Sequence, residues 1–80
     1  MTISQAIAKR IRDLLVEKNM TQYKLGIDMA IHHGTMMGIM SAKHKGANIR
    51  TIFLICKGLG VTPEEFFADP MFTGDMLDFE

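Results

Sequence analysis

Apolar residues in this chain recur at spacings of three and four, and no stretch sustains an alternation of two. That periodicity specifies helices. It comes in short runs, each bounded by residues that start or stop helices. Thr2, with Gln5 three residues on, caps a first helix from about Ile3 to Lys18, whose apolar stripe is Ile7, Ile11, Leu14 and Leu15. A break follows at Asn19-Met20. Thr21 caps a second helix, which carries Leu25 and Met29 and ends near Ala30. A third spans roughly His33 to Met40, with Met36, Ile39 and Met40 inward; Gly34 and Gly38 each cost it up to about 1 kcal/mol against Ala. Residues 42–47 form a basic loop. Asn48 caps a fourth helix that runs to Leu59, with Ile49, Ile52, Phe53, Cys56 and Leu59 facing inward and Ile55 nearby. Gly60 supplies the permissive position at its end. The fifth helix has the clearest start: Thr62 as cap, Pro63 in the first helical position and Glu65 completing the capping box. Phe66 and Phe67 follow, and Asp69-Pro70 closes it. The expected fold is all-α, a compact five-helix domain over residues 1–68, with an acidic-apolar tail over residues 69–80 that is either frayed or docked on a partner.

A chain of 80 residues is one domain, and at this size it buries only roughly 60–65% of the surface its unfolded form exposes. An enclosed active-site cavity would compete with the single core for side chains, so an enzyme is not expected. With one cysteine, Cys56, neither an internal disulfide nor a cysteine-based zinc site can form. Cys56 falls on the apolar face of the fourth helix and is expected to be a buried, inert thiol. The N-terminal MTISQAIAKRIRDLL lacks the apolar run of a signal peptide, and no stretch approaches a membrane span. The expected setting is the cytoplasm.

The formal net charge is zero, yet the charges are segregated. Residues 1–61 carry nine basic and three acidic side chains, whereas residues 62–80 carry six acidic and no basic ones. A basic body with an acidic tail suits a body that faces phosphates.

Two short helices joined by a turn of three or four residues are the layout of a DNA-binding helix-turn-helix. Here Thr21-Gln22 opens the first, Leu25 sits inside it, Ile31 fills the turn, and Met36 and Ile39 lie on the second. Through AKRIRDLLVEKNMTQYKLG and TMMGIMSAKHKGANIRTIFLICKGLGVTPEEFF, most distinctively ICKGLGVTPEEFF, the run from Ile7 to Phe67 resembles the helix-turn-helix family of phage repressors and Cro proteins, which includes the xenobiotic-response-element-like regulators of bacteria.

The resemblance implies roles for individual residues. Gln22, at the start of the second helix, would donate to a phosphate. The third helix would lie in the major groove, with His33, Gly34, Met37 and Gly38 at the positions that read bases. Lys43, Lys45 and Asn48 would grip the backbone. The sequence departs from the family on the reading face, where Ser, Gln, Arg or Asn are usual and Gly34, Met37 and Gly38 stand instead. His32, His33 and Thr35 are the polar groups left there, and Met37, pointing outward, can meet a thymine methyl or a protein partner. Ala42 takes the place of the glycine usual after the third helix, and Gly46-Ala47 that of Asn-Pro. His32, His33 and His44 lack the spacing of a metal site, and no cofactor is expected.

The function expected is a transcriptional regulator of the repressor type. It would act as a homodimer on double-stranded DNA, on half-sites about 34 Å apart. Phe66, Phe67, Met71, Phe72, Met76, Leu77 and Phe79 give the C-terminal region too much apolar surface for a free end, so it is the expected dimer contact. Neither a small-molecule substrate nor a membrane partner is evident. The alternative is a protein-interaction module that keeps the fold without reading DNA sequence, with Gly34, Met37 and Gly38 as a smooth docking face.

Overall fold

The computed structural model describes residues 1–43 and 47–79. Five α-helices follow one another: α1 (Ile3–Glu17), α2 (Gln22–Asp28), α3 (His33–Met40), α4 (Ile49–Leu59) and α5 (Pro63–Phe67). Two 3₁₀ turns, Pro70–Phe72 and Gly74–Met76, complete the chain. The fold is all-α, and no helix is long and apolar enough to cross a membrane among the described residues.

The starts are local chemistry. Thr2 and Gln5 form a capping box on α1, and Thr62 and Glu65 form one on α5 behind Pro63. Thr21 caps α2 by accepting from the Lys24 amide, and Asn48 caps α4 by accepting from the amides of Arg50 and Thr51. The ends share a signature too. Past α1 the amides of Asn19 and Met20 reach back to Val16 and Leu15; past α2 those of Ala30 and Ile31 reach Ile27 and Gly26; past α3 those of Ala42 and Lys43 reach Ile39 and Gly38. The pivot of each turn, Asn19, Ala30 and Ala42, has φ of 55°, 53° and 57°. This paired bonding around a left-handed residue is the Schellman ending, for which glycine is the usual choice. Gly60 does the same duty after α4 at φ 74°.

Ile7, Ile11, Leu14 and Leu15 of α1 pack with Leu25, Met36, Ile39, Ile52, Ile55, Cys56, Leu59 and Phe66 into one core. Helix α1 lies against α3, and α2 against α4. At the second contact Gly58 is required by closeness. A β-carbon there would fall 2.6 Å from Cγ of Met29 and closer still to the Leu25 side chain. The approach brings α2, and with it the start of the helix pair, hard against α4.

The inward face of α4 differs from the sequence expectation. Ile52, Ile55, Cys56 and Leu59 are buried, while Ile49 and Phe53 are 66% and 54% exposed. One helical residue turns the chain by roughly 100°, so Phe53 points off the face that Ile52 shares with Cys56 and Leu59. Seven apolar residues in one short helix exceed what a single buried stripe holds.

The tail makes contacts within the chain. Asp69 caps the first 3₁₀ turn through the Met71 amide at 2.9 Å, Met71 is buried and Phe72 packs on the core. Phe66, Phe67 and Phe72 form an aromatic cluster with ring centroids 4.9 to 6.0 Å apart. Farther on, the Asp78 amide donates to the Met1 carbonyl at 2.8 Å. The Asp78–Met1 bond and the packing of Phe72 on the core join residues far apart in sequence, which periodicity does not register.

Candidate nucleic-acid interface

Helices α2 and α3 are joined by Met29 to His32, with the Ile31 amide bonded to Gly26 at 2.9 Å and its side chain packed against the core. The turn therefore fixes α3 relative to α2. Met36, Gly38 and Ile39 take the buried side of α3, and His33, Gly34, Met37 and Ser41 take the exposed side. That arc is open surface on the helix pair.

The structure brings two of the expected site residues together. Nε2 of Gln22, the first residue of α2, donates to the Met37 sulfur at 3.4 Å. The contact ties the opening of α2 to the middle of the exposed arc of α3. Met37 is 47% exposed, where its neighbour Met36 is 2% exposed.

His32 holds the α3 start. Its Nδ1 accepts from the Gly34 amide at 3.1 Å, so the proton of the neutral ring sits on Nε2. A β-carbon at residue 34 would lie 3.2 Å from this ring. Gly34 thus leaves room for the cap, which accounts for a glycine in a first helical turn. His33 is exposed beside it. Thr35 is half-buried, off the arc. Gly38 is buried, against the sequence expectation that it lies at the reading surface. Its carbonyl accepts from the Lys43 amide and the Ser41 hydroxyl, and the helix leans its inward side there.

Charge is distributed unevenly over the described residues. Lys9 pairs with Asp13 at 2.8 Å, Lys24 with Asp28 at 2.9 Å and Arg10 with Asp69 at 3.5 Å. Lys43 and Arg50 are exposed and have no ion pair among the described residues. They flank the connection between α3 and α4, of which residues 44–46, with the expected Lys45, lie outside the described residues. Asn48 is exposed there; its Oδ1 is engaged by the amides of Arg50 and Thr51, leaving its NH₂ group as a donor. Arg12 donates to the Met40 carbonyl at 3.3 Å and places a cation at the end of α3.

Arg50 and Ser41 are exposed beside the arc and were not among the residues expected there. Arg50 stands two residues after a helix cap, where a side chain points out beside the helix start, and that signal was present. Ser41 carried none. Cys56 is buried, and burial pushes its thiol up from the ordinary value, against smaller opposite pulls from a backbone hydrogen bond and then from Arg10. It belongs to the core.

A short helix set by a tight turn against a second helix, with one arc of the second left free, defines a helix-turn-helix. Residues 10–70 match the family model of the Cro/C1-type HTH DNA-binding domain. The match spans more than half of the chain, and the protein belongs to that family. Comparison with curated proteins and with solved structures gave no match.

Proposed function

We propose that the protein is a transcriptional repressor that inserts α3 into the major groove of double-stranded DNA. The exposed arc of α3 against the first residue of α2, joined by the Gln22–Met37 contact at 3.4 Å, carries this reading. His33 and Met37 face base edges, and Gly34 lets the helix backbone come close. Gln22, Lys43, Asn48 and Arg50 hold phosphates, which position the domain while the base contacts specify sequence. An imidazole, a thioether and an amide are recognition groups, and we assign no catalysis to them. The protein acts in the cytoplasm as a homodimer, each copy on one half-site and the two about 34 Å apart. Among the described residues of the C-terminal region, Phe67 and the 77% exposed Phe79 are exposed, and we assign that contact to them.

Selection of the protein on a random duplex pool at about 100 mM salt tests this. An enriched palindrome is expected. The exposed Tyr23 and Ile27, beside a groove that also takes in Ile31 and Met36, favour a second reading as a protein-docking module. Absence of any enriched sequence would support that reading instead.

A further inference from the structure

Met37 stands out on α3. Every other large apolar residue of that helix is packed against or within the core, while Met37 is 47% exposed on the arc with His33 and Gly34. An exposed thioether is a flexible group with three rotatable bonds, which would normally lose much freedom on binding. Here the sulfur already accepts a hydrogen bond from Gln22 at 3.4 Å, so part of that freedom is removed beforehand. Gly34, one turn before it on the arc, offers no side chain of its own, so the surface beside Met37 is open.

In unmodified DNA one group on the major-groove edge matches an apolar side chain, the C5-methyl of thymine. We infer that Met37 is a specificity-determining residue that selects a C5-methylated pyrimidine at one position of each half-site, with Gln22 positioning its thioether. The inference rests on the reading that α3 enters the major groove. It explains why a helix with few polar side chains on its exposed arc can still discriminate, through shape and methyl contact as well as hydrogen bonds.

The test replaces each thymine of the selected duplex in turn by deoxyuridine, which removes the methyl and leaves the base pair unchanged. For the wild-type protein one position per half-site should weaken binding about fourfold, the value of one buried methyl-sized group. Replacing that thymine by 5-methylcytosine, paired with guanine, should retain more affinity than replacing it by cytosine. Met37→Ala should bind thymine and deoxyuridine duplexes alike, and Met37→Leu should restore the difference. Gln22→Ala should reduce it. Thermal melting confirms that each variant is folded, and the wild-type scan needs no variant at all. If no deoxyuridine position affects the wild-type protein, or if Met37→Ala keeps the full difference, the inference about Met37 is overturned while groove binding stands. If the wild-type protein binds no duplex even at low salt, groove binding and the inference fall together.

Discussion

Arg10 on α1 donates through Nε to the carbonyl of Phe66 on α5 at 2.7 Å, across 56 residues of sequence. Its Nη2 donates to the Glu65 carbonyl at 2.8 Å, and its guanidinium lies 6.0 Å from the centre of the Phe66 ring. A cation at the last carbonyls of a helix also meets the negative end of the helix dipole. Charge-assisted bonds of this kind contribute about 1.5–3 kcal/mol, so Arg10→Met should lower stability by about 2–4 kcal/mol in urea unfolding. Arg10→Lys should recover little, because an ammonium lacks the planar fork that reaches two carbonyls at once. Full recovery by lysine would show that charge alone matters.

The turns on either side of α3 each hold an alanine at positive φ, Ala30 at 53° and Ala42 at 57°. The left-handed region costs an L-residue roughly 1–2 kcal/mol, partly offset by the greater unfolded-state freedom of glycine. Ala30→Gly and Ala42→Gly should therefore each stabilise the domain by about 0.5–1 kcal/mol, additively, since the two turns share no hydrogen bond. A loss of stability for either variant would show that the turn is not strained.

Much of this fold was legible in the sequence because its punctuation is local. Thr2 with Gln5 and Thr62 with Glu65 act within four residues, so their capping boxes follow from spacing alone. The same holds for Asn48 and for the span of α3. What escaped depends on contacts distant in sequence. Ile49 and Phe53 look like core by type, and which side of α4 the neighbouring helices cover leaves both exposed. The packing of Met71 and Phe72 was not legible because their partners lie on a core assembled from the whole chain. Of the site, spacing placed Met37 on the outward face and the family resemblance placed His33 at the reading surface, but nothing in the sequence paired Met37 with Gln22 or turned Gly38 inward.

Glu65 supplies a pH-dependent test of the α5 cap. The Thr62 amide and then its hydroxyl hold this carboxyl below its ordinary value, with Lys18 adding a smaller pull in the same direction. The folded state therefore binds fewer protons than the unfolded state as pH falls through the ordinary glutamate range. The stabilisation is fully present above that range and is lost as pH drops through the lowered folded value. Glu65→Gln keeps an oxygen for the Thr62 amide but no titrating group. The gap in melting temperature between the two proteins should shrink from roughly pH 7 to roughly pH 3. A gap that stays constant would mean that the charge of Glu65 adds nothing to the cap.

The proposed phosphate contacts of Lys43 and Arg50, both free of ion pairs among the described residues, are tested by the salt dependence of DNA binding. Each phosphate neutralised contributes about −0.9 to the slope of log affinity against log salt. Lys43→Ala with Arg50→Ala should flatten that slope by about two and weaken all duplexes alike. An unchanged slope would remove the α3–α4 connection from the interface.

The central claim, that the exposed arc of α3 is the surface that meets DNA, is tested most directly by following backbone amide resonances as the selected duplex is added to the protein. The amides of Gln22, His33, Gly34 and Met37, with those of Lys43 and Arg50, should show the largest shifts, and the buried face of α1 around Ile11 should show little. Shifts centred on Tyr23, Ile27 and Ile31 with α3 unmoved, or shifts on the outward side of α4 at Ile49 and Phe53 alone, would contradict it.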